Sequence, residues 1–176
     1  MFTDSHTHLY LKEFDCDLDA VIKNARDHQI SRFLLPNIDN TTIQKLLSIC
    51  GKYENLLFPM IGLHPCSVSN NYLAELKKIH TYMNATSFVG IGEIGIDLYW
   101  EKRFINEQRD AFRIQLDWAK EYNLPIVIHC RNAFDEIYSI LKKSEPHNMS
   151  GIFHCFEGTH DDALKIIDMG FYLGVG

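Results

Sequence analysis

Short strand-like segments alternate with amphipathic helical patterns along the whole chain, and this alternation limits the folds available to it. The segments span residues 2–4, 33–35, 56–63, 88–91, 125–128, 151–153 and 171–175. Continuous short apolar runs suit strands that are buried on both faces. Between them, apolar residues recur at helical spacing, as in Phe112, Leu116 and Ala119. This order predicts parallel strands joined by right-handed helical crossovers.

We therefore predict an α/β fold, a TIM-type (β/α)8 barrel, with a doubly wound open sheet as the alternative. No linker, low-complexity stretch or repeat interrupts the pattern, so we expect one domain over residues 1–176. A complete barrel usually takes about 250 residues, more than the 176 present. We expect a barrel that is incomplete at its C-terminus, with about seven of the eight βα units.

Composition excludes several other classes of protein. The net charge of −6 gives no broad basic surface for nucleic acid, although bound divalent cations could supply positive charge locally. Five cysteines without a C-x-x-C pair argue against a disulfide scaffold and against a structural zinc finger. There is no signal-peptide pattern and no apolar run of the roughly 18 residues that a membrane span needs. We expect a cytoplasmic protein without membrane contacts.

Histidines, one glutamate and one arginine follow the strand-like segments, where the predicted strands end. These residues are His6, His8, His64, Glu93, His129, Arg131 and His154. In a parallel barrel all such strand ends lie on one face, which carries the active site. Side chains two residues apart in a strand point the same way, so His6 and His8 can aim at one point. Taken singly, a histidine at a strand end is more often a hydrogen-bonded structural residue than a ligand.

Imidazole and carboxylate groups bind Zn²⁺, Mn²⁺ and Fe²⁺ well. The set is too large for one tetrahedral ion and suits two ions that share Glu93. Such a pair would polarise a phosphoryl oxygen and lower the pKa of bound water toward about 7. Hydrolysis is the expected chemistry. Arg131 lies two residues beyond His129, so it could meet a substrate phosphate on the same side, and His64 could contact the same phosphate.

Five segments, taken in order, resemble the TatD-type metal-dependent deoxyribonucleases, a family of amidohydrolase-like (β/α)8 barrels. They are D-S-H-T-H-L at 4–9, G-L-H-P at 62–65, G-E-I-G-I-D at 92–97, N-L-P-I-V-I-H-C-R at 123–131 and F-H-C-F-E-G-T at 153–159. Family members also carry T-D-[SA]-P after an eighth strand, with its Asp as a metal ligand. This sequence has no such motif.

The resemblance implies a role for each site residue. It implies two divalent ions (Mg²⁺, Mn²⁺ or Zn²⁺) and a catalytic role for Glu93, His129 and His154. The implied metal ligands are His6, His8, Glu93, His129 and His154. His64 and Arg131 would contact substrate phosphate. The implied activity is hydrolysis of DNA phosphodiester bonds, from the 3′ end of single strands. We further expect a monomer that binds its DNA substrate transiently.

Three alternatives stay open at this point. Other hydrolases of the superfamily act on lactones, amides or phosphotriesters, and many use a carboxylated lysine where this chain has Glu93. The presence of Glu93 and Arg131 favours the nuclease. An inactive metal-binding fragment is a further alternative, because the last Asp ligand is missing. Finally, the aromatic segment after Asp97 could be an exposed loop that stacks on a base, or it could be packed in the interior.

Overall fold

The computed structural model describes residues 1–175, and only Gly176, the last residue of the predicted domain, lies outside it. The strands are β1 Phe2–Asp4, β2 Ile30–Leu35, β3 Leu57–Pro59, β4 Ile91–Asp97, β5 Ile126–Arg131, β6 Gly151–Phe153 and β7 Tyr172–Leu173. The α-helices are α1 Leu18–Asp27, α2 Ile43–Lys52, α3 Tyr72–Met83, α4 Ile105–Glu121, α5 Phe134–Lys143 and α6 His160–Asp168. Short 3₁₀ turns cover Lys12–Phe14, Pro65–Ser67 and Pro146–Asn148.

The strands lie side by side in chain order and are all parallel. One run is β1-β2-β3 and the other is β4-β5-β6-β7, and a parallel bridge between Ile61 and Ile91 joins them. A doubly wound sheet reverses its strand order at a switch point, and no reversal occurs in residues 1–175. The arrangement is that of a barrel wall, with β1 and β7 as the edges of the described sheet.

Two apolar clusters stabilise this wall. The larger one packs helices α3 to α6 against the second run of strands and includes Ile94, Phe112 and Phe153, all fully buried. The smaller one packs α1 and α2 on the first run, with Phe33 and Leu46 inside it. Because helices cover the outer face of the wall, the polar strand ends are left at one rim.

The fourth and fifth strands differ from the predicted segments. The fourth was expected at 88–91, but β4 spans Ile91–Asp97 and is buried throughout. Glu93 therefore lies inside the strand rather than after it. The glycines of G-E-I-G-I-D explain the difference, because a side chain on Gly92 would collide with Val127 of β5. Similarly, β5 continues to Arg131, so His129 and Arg131 are strand residues.

No helix among residues 1–175 has the length and apolar character needed to cross a membrane.

Candidate metal centre

The Glu93 carboxylate is the centre of the site. Glu93 is only 2% exposed, and it projects from β4 toward imidazoles from several strand ends. Those imidazoles belong to His6, His8, His64, His129 and His154. The structure therefore brings together all the predicted metal-ligating residues and one of the two predicted phosphate contacts.

The two imidazoles from the end of β1 share one oxygen of this carboxylate. Nε2 of His6 lies 3.1 Å from Oε2 of Glu93, and Nε2 of His8 lies 3.2 Å from the same oxygen. The two Nε2 atoms are 3.1 Å apart. The alternation of side chains in extended backbone produces this convergence, as the H-x-H spacing predicts.

Three imidazoles from other strand ends approach the second oxygen. Nδ1 of His129 and Nε2 of His154 each lie 2.7 Å from Oε1 of Glu93, and Nε2 of His64 lies 3.2 Å from it. The His154 ring also stacks on the ring of His6, with centroids 3.8 Å apart. The stacking brings the groups around the two oxygens into contact.

Glu93 is ionised in this setting. Burial alone would raise the pKa of its carboxyl group, but the close contacts with the imidazoles of His129, His154, His6 and His64 outweigh burial and hold that pKa far below its usual range. A permanent negative charge is thus buried among imidazoles, which is an arrangement suited to holding a cation.

The proton on His8 is placed by a backbone carbonyl. Nδ1 of His8 lies 3.1 Å from the carbonyl oxygen of Pro36 and 2.9 Å from the hydroxyl of Tyr10. That hydroxyl donates to the Pro36 carbonyl at 2.7 Å. Both oxygens can therefore accept from His8, so Nδ1 carries the proton and Nε2 presents its lone pair to Glu93.

A second carboxylate places the proton on His129. Nε2 of His129 lies 2.9 Å from Oδ2 of Asp97, so Nε2 donates and Nδ1 is left with its lone pair facing Glu93. Burial lowers the pKa of His129, but hydrogen bonds and charge from Glu93 and Asp97 reverse this and raise it above the ordinary value. The same two carboxylates would favour a metal cation at Nδ1.

In His64, unlike in His8 and His129, the ring nitrogen that faces Glu93 carries the proton. The backbone N–H of Cys66 donates to Nδ1 of His64 at 3.0 Å, so the neutral ring carries its proton on Nε2, toward Glu93. A protonated nitrogen cannot ligate a metal but can donate a hydrogen bond to an anion. His64 is thus oriented as a donor, although its position also lies within ligand range of the site.

The donor set fits divalent metal ions. Two groups, His6–His8–Glu93 and His64–Glu93–His129, each bring ligand atoms within 4.8 Å of one another and share Glu93. In His8 and His129 a nitrogen lone pair faces a carboxylate oxygen, and neither atom can donate a hydrogen bond to the other. The two electron-rich atoms repel each other, and a cation between them would remove that repulsion. Imidazole nitrogen with carboxylate oxygen is a donor set for Zn²⁺, Mn²⁺ or Fe²⁺.

Sequence reasoning assigned no role in the site to Asp97. Asp97 is the last residue of β4 and is fully buried. Burial alone would raise the pKa of Asp97. Hydrogen bonds from the backbone N–H of Trp100, from His129 and from the backbone N–H of Tyr99 outweigh burial and lower that pKa below its ordinary value, so the carboxyl is ionised. The four-residue spacing from Glu93 puts both carboxylates on one strand face, a signal that was available in G-E-I-G-I-D.

Two buried glutamines of α4 hold the segments that carry the site. Oε1 of Gln108 accepts from the backbone N–H of Asp97 at 2.9 Å, and Oε1 of Gln115 accepts from that of Leu63 at 2.6 Å. Residues seven apart lie on the same face of a helix. One face of α4 therefore fixes both the end of β4 and the residue before His64.

Arg131 lies beside the aromatic loop that follows β4. Its guanidinium carbon is 4.4 Å from the centre of the Tyr99 ring and 5.5 Å from that of Trp100. Both aromatic residues are exposed, so the interpretation of this segment as interior packing is wrong.

Comparison with known proteins places the chain in a family. The sequence model described as "TatD related DNase" matches residues 3–176. An uncharacterized metal-dependent hydrolase of Bacillus subtilis, YabD, is 34% identical over 176 residues, covering 100% of this chain and 69% of that protein. A protein of Erwinia tasmaniensis named 3′-5′ ssDNA/RNA exonuclease TatD is 29% identical over 172 residues, covering 98% and 66%.

Solved structures give the same result. The TatD homologue YjjV of Escherichia coli superimposes with a TM-score of 0.88 at 25% identity, covering 99% of this chain and 68% of that one. A TatD-family hydrolase of Entamoeba histolytica gives 0.85 at 25% identity, covering 99% and 64%. The prediction of a partial TIM barrel is confirmed, and the chain spans about two thirds of the length of these relatives. By sequence and by fold, this chain belongs to the TatD-related DNase family of metal-dependent hydrolases.

Proposed function

We propose that this chain binds two divalent cations around Glu93 and hydrolyses phosphodiester bonds of DNA from the 3′ end of single strands. The observation that carries the proposal is the buried, ionised Glu93 with the lone pairs of His8 and His129 directed at its two oxygens. The name of the Erwinia relative, a 3′-5′ ssDNA/RNA exonuclease, supports the choice of substrate. We also propose that residues 1–176 form a single domain, which makes up part of the barrel.

We assign the cations to His6, His8, Glu93, His129 and His154, with Glu93 shared. When bound, they would lower the pKa of water and neutralise charge on a phosphoryl group. The chain itself keeps His8 and His129 in their ligating tautomers through Pro36 and Asp97. Glu93, His129 and His154 form the proposed catalytic group because they meet at one oxygen, Oε1 of Glu93.

Substrate phosphate would be held by hydrogen-bond donors of residues that are not among the proposed metal ligands. The N–H at Nε2 of His64 faces the centre, and the planar guanidinium of Arg131 can meet two phosphate oxygens at once. Arg131 and the proposed bound cations would supply local positive charge for a phosphate on a chain whose net charge is −6. Transient binding is expected from so small a basic surface.

The test is cleavage of a single-stranded oligonucleotide labelled at either end, with Mg²⁺ or Mn²⁺. We expect a ladder from the 5′-labelled strand and labelled mononucleotide as the first product of the 3′-labelled strand. EDTA should stop both reactions. Turnover of lactones or amides by a chain that leaves DNA intact would instead assign it to another branch of the superfamily, and metal binding without any turnover would indicate an inactive scaffold.

Asp97→Asn should weaken metal binding about 10- to 100-fold. The amide keeps an acceptor for the backbone N–H of Tyr99 and Trp100, but its NH₂ group can face Nε2 of His129. The proton of His129 then moves to Nδ1, which can no longer ligate. Calorimetric titration with Mn²⁺ measures the change, with Asp161→Asn as the control because that carboxylate is 86% exposed. Equal affinity in both variants would show that Asp97 does not orient His129.

A further inference from the structure

Two neighbouring aromatic rings lie exposed beside the candidate metal centre. Tyr99 is 51% exposed and Trp100 is 68% exposed, and their rings meet edge to face with centroids 4.6 Å apart. Among residues 1–175, the other aromatic side chains this exposed are Phe2 and Tyr172, which lie on the edge strands β1 and β7. Only the Tyr99–Trp100 pair therefore stands at the carboxyl end of an interior strand.

The loop that carries this pair is fixed at its base. The backbone N–H groups of Tyr99 and Trp100 donate to Oδ1 of Asp97 at 2.9 and 2.7 Å, and the N–H of Leu98 donates to the carbonyl of Arg131 at 2.9 Å. The other oxygen of Asp97 accepts from His129. One buried carboxylate thus separates the exposed rings from a proposed metal ligand, and it sets both positions.

A cation accompanies the rings. The Arg131 guanidinium lies within cation–π range of both rings. In residues 1–175 its side chain forms no ion pair, whereas neighbouring Arg103 is paired with Glu101. A free guanidinium beside exposed rings matches the chemistry of a nucleotide, because the base has a flat face and the phosphate has a negative charge.

We propose that Tyr99, Trp100 and Arg131 form a subsite that stacks one unpaired nucleobase of the strand being cleaved. This inference rests on the proposed function and adds a substrate determinant to it. Bases at a duplex end are held in pairs and stacked on their neighbours, whereas an unpaired base is free to turn onto the rings, so the subsite favours single-stranded ends over paired ones. Stacking does not depend on which base is present, since every base has a π-face. The subsite therefore favours nucleic acid without reading its sequence.

Tryptophan fluorescence reports this contact directly. The chain has two tryptophans, and Trp118 is only 8% exposed, so Trp100 is the one that a strand can reach. In EDTA, where no turnover is expected, we titrate the full chain with a short oligothymidylate and with an abasic strand of the same length. We expect quenching by the first strand, and an affinity about tenfold weaker for the second. Trp100→Phe should remove the quenching yet keep most of the affinity, because phenylalanine still stacks.

Variants separate this subsite from the rest of the site. Trp100→Ala and Tyr99→Ala should each raise KM for single-stranded DNA about tenfold, whereas Tyr172→Ala, an exposed ring on β7, should not. Equal affinity for the two strands, or absence of binding to either, overturns the subsite. So does an unchanged KM in Trp100→Ala. If the chain cleaves no DNA with any metal in the end-labelled oligonucleotide assay, the proposed function itself fails. The fluorescence titration does not depend on cleavage, so the two failures can be told apart.

Discussion

Glu93→Gln is expected to abolish binding of the two proposed metal ions, which share Glu93 as a ligand, and to lower kcat/KM for single-stranded DNA by about 10³-fold or more. The substitution keeps the volume of the side chain, so its effect is chemical. It removes the one negative charge that faces all five imidazoles, and it places an NH₂ donor where a bridging oxygen is needed. Calorimetry with Mn²⁺ and the end-labelled strand assay measure the two losses.

The matched control for this prediction is Glu136→Gln. Glu136 is partly exposed and pairs with Arg109 between α5 and α4, at 2.6 Å. This carboxylate contacts Arg109 and none of the site imidazoles, so activity should stay close to that of the wild type. Circular dichroism establishes that both variants are folded. A folded Glu93→Gln variant with wild-type affinity for Mn²⁺ would refute the assignment of Glu93 as the shared ligand.

The rim of the barrel could be predicted because topology requires it. Alternating strands and helices place parallel strands in chain order, so residues that end strands meet although they are far apart in sequence. His6, Glu93 and His154 come together for this reason. Prediction at this level needed only the order of the strands and the approximate place of each residue along them, so it held although β4 extends to Asp97 and Glu93 lies inside it.

The tautomers and the aromatic loop could not be predicted in this way. They depend on single contacts, such as the Pro36 carbonyl at His8 or the Cys66 N–H at His64, and no periodicity in the sequence encodes a contact. The same holds for Arg131. Its spacing from His129 correctly indicates the rim, but its position against Tyr99 follows from the turn that Asp97 fixes after β4.

The length of β4 is the most instructive error. The fourth segment was predicted from the apolar run at 88–91 alone, and glycine usually weakens strands, so nothing in Gly92 or Gly95 extended it. Here they permit an unusually close approach to β5, with Gly95 paired to His129 and Asp97 to Arg131. The glycines are thus part of the means by which Glu93, Asp97 and His129 are held in contact.

Gly95→Ala is expected to destabilise the chain by more than about 4 kcal/mol, or to prevent folding. Gly95 has φ of +142°, a conformation that side chains with a Cβ rarely adopt, and a Cβ there would lie 2.0 Å from the carbonyl oxygen of His129. That oxygen belongs to the backbone of β5, so no side-chain rotation relieves the collision. Relief requires β4 to move away from β5, which separates Glu93 and Asp97 from the His129 imidazole.

Gly51→Ala gives the opposite expectation and serves as the control. Gly51 lies near the end of α2, and a Cβ there meets nothing within 4 Å, so alanine should stabilise the helix by about 0.5–1 kcal/mol. Urea unfolding of both variants in EDTA compares them without stabilisation by bound metal. A Gly95→Ala variant that unfolds at the wild-type midpoint would mean that β4 and β5 can separate at no cost. The short contacts among Glu93, Asp97 and His129 would then need a different cause.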